Sequence, residues 1–222
     1  MTARSKQQKP SVRASVKKRG RAAYNIWSVW SPKTQRRWVL KSDLCEEHWL
    51  LLEADPDVAS FELGPGLAGR HPAADSELSK IDAVVRLHSG RVEWRSVKCR
   101  TEMRADDPPA GSVEGTVDAM FARCVITDEH LSKHALLIEN FRRVVAVQAR
   151  TADFPPADEQ NRVAALLRHQ GRVVLGDLVE GLDSPHTALM LSGAFALLTS
   201  GFARSDLDVA RLSTRTQLWC RG

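Results

Sequence analysis

Alternating apolar and polar residues predict a β-hairpin near the middle of the chain. Residues 80–87 and 91–98 are rich in β-branched and apolar side chains, and a three-residue loop ending in Gly90 separates them. If Gly90 takes the left-handed conformation, the loop length fixes which residues lie opposite each other. Three polar side chains are then expected on one face of the hairpin: Asp82, Ser96 and, one diagonal step away, Lys98.

The residues before this hairpin predict another hairpin and a helix. Residues 26–30 and 37–40 read as strands on either side of a turn that contains proline. Ser42 is the expected N-cap of a helix that runs to Glu53 and ends before Pro56.

The C-terminal part is predicted to be mainly helical. A helix is expected from about residue 128 to 150, and a proline-rich joint follows at residues 151–158. Ser184 is the expected N-cap of the third helix beyond this joint. The predicted helices and strands of this part are residues 159–170, 175–182 and 185–200 for the helices and 202–207 and 211–219 for the strands. Three helices followed by a β-ribbon are typical of a winged-helix domain.

Length and composition indicate a soluble, cytoplasmic protein with one good core or two small ones. The chain has 222 residues, of which 43% are hydrophobic and 27% charged. Apolar runs are shorter than the roughly 18 residues of a membrane span, and the basic N-terminus lacks the apolar stretch of a signal peptide. The four cysteines form no C-x-x-C pair, which argues against a zinc ribbon.

The positive charge is concentrated at the N-terminus. Residues 1–23 carry eight Lys and Arg and no acid, so the rest of the chain has a net charge of −3 although the total is +5. Such a segment is expected to be a flexible basic arm that contacts phosphates, although a solubilising leader has the same composition. The candidate DNA-binding residues are Lys17, Lys18, Arg19, Arg21, Arg36 and Arg37.

The polar face of the central hairpin has the residue types of a phosphodiesterase site. A carboxylate such as Asp82 can hold a divalent cation, and an amine such as Lys98 can stabilise charge on an attacked phosphate. An ordinary half-solvated hairpin with a surface ion pair is the alternative interpretation. His130 and His134, four residues apart on a predicted helix, could likewise share a metal or simply lie on a helix surface.

The order of motifs over about residues 25–150 resembles the TnsA-type endonuclease subunits of heteromeric transposons. In that family a turn like S-x-K-T-x-R leads to a strand, then to S-D-L and a helix ending in L-L-E-x-D-P-x-V. Here the corresponding segments begin at Ser31 and Ser42, and the helix ends at residues 51–58. An aspartate strand and a strand ending in Q-V-K or E-V-K follow in the family, and Asp82 and Lys98 match these positions.

The resemblance implies a two-domain α/β protein. It would have a restriction-endonuclease-like core at residues 24–151, built from a mixed β-sheet flanked by helices, and a winged-helix domain at residues 158–222. Such a subunit uses Mg²⁺, or Mn²⁺, to nick the 5′ side of transposon ends. Its implied partners are double-stranded DNA, a DDE transposase subunit and an AAA+ ATPase subunit, with no membrane.

The sequence departs from the family at two positions of the implied site. Cys45 stands where the family has a helix glutamate, and Ser96 stands in place of a second acid or amide. In an active endonuclease, Asp82 would hold the metal together with Glu46, or Glu47 would take that place, while Lys98 would orient water. The alternative is a catalytically degenerate relative that binds DNA and assembles with its partners.

Overall fold

The computed structural model describes residues 25–64, 81–105, 107–111, 113–114 and 122–220. The basic arm and its candidate residues Lys17, Lys18, Arg19 and Arg21 lie outside this part of the chain. The elements in chain order are β1 (Trp27–Ser31), β2 (Arg36–Leu40), α1 (Asp43–Ala54), β3 (Val58–Leu63), β4 (Ala83–Leu87), β5 (Val92–Lys98), β6 (Val113–Glu114), β7 (Ala122–Thr127), α2 (Asp128–Ser132), α3 (Ala135–Arg150), α4 (Ala157–Gln170), β8 (Arg172–Val174), α5 (Leu175–Val179), α6 (Ser184–Thr199), β9 (Ala203–Ser205) and β10 (Gln217–Cys220).

The centre of the fold is a mixed β-sheet with the strand order β3-β4-β5-β7-β6. Strands β5 and β7 are parallel, and the other neighbouring pairs are antiparallel. Helices α1 and α3 pack against each other, and apolar side chains of the sheet and of both helices, among them Phe61, Val85 and Phe141, belong to one core. The expected α/β fold with a mixed sheet flanked by helices is therefore confirmed.

The central hairpin has the predicted register. Gly90 has a φ of +85°, a conformation that side chains other than glycine rarely adopt. The N–H of Leu87 donates to the carbonyl of Arg91 at 2.9 Å, and Ala83 lies opposite Arg95. Continuing this register by one residue places Asp82 opposite Ser96.

The turn between β1 and β2 is fastened to the C-terminal end of α1. The hydroxyl of Ser31 donates to the buried carboxylate of Glu53 at 2.5 Å, and the hydroxyl of Thr34 donates to Ser31 Oγ at 2.8 Å. Lys33 Nζ donates to the carbonyl of Leu52 at 2.7 Å and also to that of Asp55. Lys33 thus donates to backbone carbonyls at the end of α1, where a helix leaves such carbonyls without an intrahelical partner, so the S-P-K-T turn acts as a cap for α1.

Burial shifts the ionisation of the two charged residues at this turn in opposite directions. It raises the pKa of Glu53 to about 7 and lowers that of Lys33 to about 8. Ser31, the Lys33 N–H and Trp49 Nε1 all donate hydrogen bonds to the Glu53 carboxylate, and these bonds favour its ionised form.

Two helix boundaries differ from the sequence prediction. The expected single helix over residues 128–150 is two helices, because His134 leaves helical geometry with φ −111° and ψ 16°. The N-cap of α6 is Asp183, whose carboxylate accepts the N–H of His186 at 3.3 Å, and Ser184 is already the first helical residue. A charged oxygen one residue earlier serves the same purpose as the predicted hydroxyl.

The three C-terminal helices lie where they were predicted, each within a few residues. Strands β8, β10 and β9 form a separate three-stranded antiparallel sheet, of which β8 was not expected. The buried side chains of this part join the same hydrophobic core as those of the central sheet. The division into domains between residues 151 and 158 stays a prediction.

Polar contacts also join the C-terminal part to α3. Asn140 Nδ2 donates to the carbonyls of Leu207 and Ala210 at 2.8 Å each, and its Oδ1 accepts the N–H of Leu212 at 2.8 Å. The hydroxyls of Thr151 and Ser192 lie 2.6 Å apart. In the part of the chain that the structure describes, the helices are all too short or too polar to cross a bilayer.

Candidate functional site

Asp82 lies where the β4–β5 ladder ends. Its backbone N–H donates to the carbonyl of Arg95 at 3.0 Å, and its Oδ2 accepts the N–H of Val97 at 2.7 Å. Burial raises the pKa of this carboxyl group, while the Val97 N–H and the charges of Lys41 and Lys98 act in the opposite direction. The carboxylate therefore satisfies a backbone donor of β5 at the point where β4 stops.

Lys98 lies near enough to Asp82 to influence its pKa, but its hydrogen bonds go to another acid. Lys98 Nζ donates to both carboxylate oxygens of Asp107, at 2.6 and 2.7 Å. Asp107 also accepts the backbone N–H of Arg104 at 2.8 Å, and the Lys98 bond is the main reason why the pKa of Asp107 is lowered. Sequence reasoning missed Asp107, because it treated this segment only as a loop rich in helix-breaking residues.

Cys45 of α1 lies near enough to Asp82 for the two groups to influence each other's ionisation. Burial is the main cause that raises the pKa of the Cys45 thiol, and the nearby charge of Asp82 adds to it. Glu46 is buried, and its two oxygens accept hydrogen bonds from Arg142 of α3 at 3.0 and 2.7 Å. Successive helix residues point about 100° apart, so Cys45 and Glu46 face different surroundings.

Glu47 is half-buried, and its pKa is raised chiefly by burial and then by the charge of Glu46. Asp82 thus lies within electrostatic reach of Cys45 and of Lys98, whereas Glu46 is held by Arg142.

A small polar cavity adjoins Lys98 on the face of β5 that also carries Ser96. Its volume is about 270 Å³. Its walls include the indole of Trp94, the hydroxyl side chain of Ser96 and three cations, which are Lys98, Arg104 and Arg123. The acids that line it are Glu102 and Asp107.

The donors around Asp82 do not fit Mg²⁺ or Mn²⁺. These ions favour several carboxylate or carbonyl oxygens, whereas Cys45, the α1 residue within electrostatic reach of Asp82, has a thiol, which is a soft ligand. Among the described residues, no three His, Cys, Asp or Glu side chains form a group that could hold a metal ion. His130 and His134 do lie together, with ring centroids 5.2 Å apart, but no third such ligand joins them within the described residues.

The two described candidate DNA-binding residues lie on β2. The guanidinium of Arg36 stacks on the ring of Trp38 at 3.8 Å from the centroid, an arrangement typical of a cation–π contact. Arg37, the next residue, is exposed. Arg37 is therefore the better placed of the two for a contact with a phosphate.

A second cavity lies between the sheet and the helices, away from Asp82. Its volume is about 490 Å³, and the side chains of Glu93, Arg95, His130 and His134 contribute to its walls. Glu93 is buried and accepts hydrogen bonds from Arg95 Nε and Nη2 at 3.0 and 2.8 Å. This inward-facing ion pair on the central strand was not predicted from the sequence, since alternation alone places the charged Glu93 and Arg95 on the solvent side and Trp94 on the core side.

Comparison with known proteins adds no family to this description. Neither a scan against protein-family models nor a search of curated proteins finds a match for the chain.

Proposed function

We propose that this chain is a catalytically degenerate TnsA-like protein, which binds DNA and takes part in assembly without cutting. The observation that carries the proposal is that Arg142 holds both carboxylate oxygens of Glu46, while Cys45 stands at the position of the family's helix glutamate. A lone carboxylate seldom holds Mg²⁺, since the ion gives up its waters reluctantly. The residues that remain, Asp82 and Lys98, match the resemblance in position, but the described residues hold no group of three possible metal ligands there.

Binding of double-stranded DNA is supported by charge. The arm at residues 1–23 has eight cations and no acid, and phosphate contacts with release of counterions are the natural use of such a segment. In this proposal the DNA is a transposon end, and the partners are a DDE transposase subunit and an AAA+ ATPase subunit.

The C-terminal part supports a role in assembly. Three helices and a three-stranded sheet are compatible with a winged-helix domain at residues 158–222. Its longest helix, α6, buries Phe195, Leu197 and Leu198 in the core and lacks Arg, Lys, Asn and Gln, the residue types that usually contact base edges. Such a helix is poorly suited to reading a base sequence, which is consistent with a role of this part in assembly.

The decisive experiment compares cleavage and binding on the same DNA. The purified chain is incubated with Mg²⁺ or Mn²⁺ and supercoiled plasmid, with and without a transposase partner, beside the double variant Cys45→Glu, Ser96→Gln, which restores the oxygen ligands. We expect no nicking by the natural sequence and nicking by the restored variant. Nicking by the natural sequence that disappears in Asp82→Ala would overturn the proposal.

Binding by the arm is tested by salt dependence. Deletion of residues 1–21 is expected to weaken binding to duplex DNA and to flatten the slope of log Kd against log salt, because each lost phosphate contact removes about 0.9 from that slope. A control variant replaces Lys17, Lys18, Arg19 and Arg21 by Gln and keeps the length of the arm. An unchanged slope in both variants would contradict a role of the arm in DNA binding.

One observation favours an active endonuclease as the second candidate. Asp107 brings another carboxylate to Lys98, at 2.6 Å from Nζ, although it does not belong to the positions that the resemblance implies. The same plasmid assay distinguishes this candidate, because cleavage would then be lost in Asp107→Ala as well as in Asp82→Ala.

A further inference from the structure

The contact between Lys98 and Asp107 has the form of an occupied anion site. Lys98 Nζ donates to both oxygens of one carboxylate, and the backbone N–H of Arg104 donates to the same group at 2.8 Å. An ammonium group and a backbone N–H that converge on one point are the donors with which proteins bind phosphate. The Asp107 carboxylate fills the place that an external anion would take.

The surroundings of this contact favour a nucleic-acid phosphate. The adjoining cavity of about 270 Å³ carries two further cations, Arg104 and Arg123, and the indole of Trp94 forms part of its wall. Cationic side chains that line a cavity are groups that bind the phosphates of a DNA backbone. The Lys98 and Asp107 side chains retain 21% and 13% exposure, so solvent reaches the contact.

We propose that Lys98 and the Arg104 N–H form a subsite for one phosphodiester of bound DNA, and that Asp107 occupies this subsite until DNA displaces it. This inference rests on the proposed DNA-binding function and adds a regulatory contact to it. Asp107 then lowers the affinity for DNA, because its carboxylate competes with the DNA phosphate for Lys98. Binding requires that the phosphate replace this carboxylate.

Removal of the competing carboxylate tests the subsite. In Asp107→Asn the amide keeps the shape of the side chain but loses its charge, so Kd for a 30-base-pair duplex of arbitrary sequence, measured by fluorescence anisotropy, should fall several-fold. The slope of log Kd against log salt should steepen by about one phosphate contact, or about 0.9. The matched control is Glu102→Gln, which removes the other acid of the same cavity. Glu102 accepts the N–H of Cys99 and has no bond to Lys98.

A double variant with Lys98 substituted distinguishes the release of Lys98 from Asp107 from a general gain of positive charge. The effect of Asp107→Asn should disappear in a Lys98→Met background, because the competed donor is then missing. Equal effects of Asp107→Asn and Glu102→Gln, or an effect that survives in Lys98→Met, would overturn the subsite and leave DNA binding intact. Circular dichroism melting of each variant checks that the fold is kept.

Two further outcomes of these measurements distinguish a DNA phosphate from inorganic phosphate. If inorganic phosphate at millimolar concentration protects Asp107→Asn against heating more than it protects Glu102→Gln, while no variant binds the duplex, the anion subsite stands and the proposed DNA-binding function fails. If neither duplex nor inorganic phosphate distinguishes the variants, both the subsite and its competition by Asp107 are refuted.

Discussion

At the residue scale, the fully buried His48 is the side chain with the clearest consequence for stability. Its exposed fraction is 2%, and its Nε2 has no hydrogen-bond partner among the described residues. Burial lowers the pKa of His48 to about 3, and the charges of Arg95 and His130 act in the same direction. The His48 imidazole therefore stays neutral in the folded protein. In the unfolded chain the same group has its ordinary pKa of 6.5 and becomes protonated below that pH.

His48 is expected to make the protein sensitive to acid. Between pH 6.5 and about pH 3, His48 binds a proton in the unfolded chain but not in the folded protein. The free energy of unfolding therefore decreases by up to about 1.4 kcal/mol for each pH unit by which the pH is lowered in this range. His48→Leu should remove this part of the slope in urea titrations from pH 6.5 to 4. The control is His169→Gln, because His169 is exposed, and this variant should keep the pH dependence of the natural sequence. Parallel profiles for His48→Leu and the natural sequence would contradict the assignment.

The residues of the candidate site were predictable only where local rules fix them. The loop length and Gly90 fix the register that brings Asp82 opposite Ser96, so sequence reasoning was sufficient for that pair. The partner of Glu46 is Arg142, 96 residues further along the chain, and no local pattern indicates such a contact. Asp107 was missed for a similar reason, because a loop's side chains are positioned by the strand it packs on and not by periodicity.

At the element scale, α1 depends on its N-cap. Ser42 Oγ accepts the N–H of Cys45 at 3.1 Å, as the sequence predicted. Ser42→Ala should cost about 1 kcal/mol of stability. For a chain of this size that lowers Tm by roughly 2–4 °C.

The control for Ser42 is Ser132→Ala at the end of α2. Ser132 Oγ donates to the carbonyl of Glu129 on an exposed surface, where water can replace it. Its substitution should change stability by less than about 0.5 kcal/mol. Equal melting temperatures for the two variants would show that the Ser42 bond does not stabilise α1.

Long amphipathic helices and the strands of tight hairpins were predicted from the sequence, but the short strands β6 and β8 were not. Residues 113–114 and 172–174 form β6 and β8 because they lie beside β7 and β10, and segments of two or three residues carry no measurable period. The break at His134 was missed because the apolar pattern continues across it.

At the scale of the whole molecule, Asn140 joins α3 to the loop over residues 207–212. It makes three buried or part-buried hydrogen bonds to backbone groups of that loop. Asn140→Asp keeps the acceptor for the Leu212 N–H but places an acid beside two carbonyls. We expect a loss of about 2–3 kcal/mol, since unsatisfied buried groups cost about 1–3 kcal/mol each.

Limited trypsin digestion gives a local readout of the same change. Arg211 is exposed within the loop, and cleavage there should become faster in Asn140→Asp. Glu139→Ala, next to it on α3, removes an exposed pair with Arg143 but no hydrogen bond to the loop, and it serves as the control. Unchanged cleavage at Arg211 and unchanged urea midpoints in Asn140→Asp would contradict the assigned role.

The start of the described chain is fixed beside the candidate site. Asn25 Nδ2 and Trp27 Nε1 donate to the carboxylate of Asp43 at 2.8–3.0 Å, and Asp43 lies in the first turn of α1, two residues before Cys45. The eight cations of residues 1–23 precede this anchored segment in the chain. A tether converts a second encounter with the same ligand into an intramolecular one. If DNA binds at the proposed Lys98 subsite, the covalent link between arm and fold would therefore give the arm a high effective concentration at that DNA, and two individually weak contacts would bind as one.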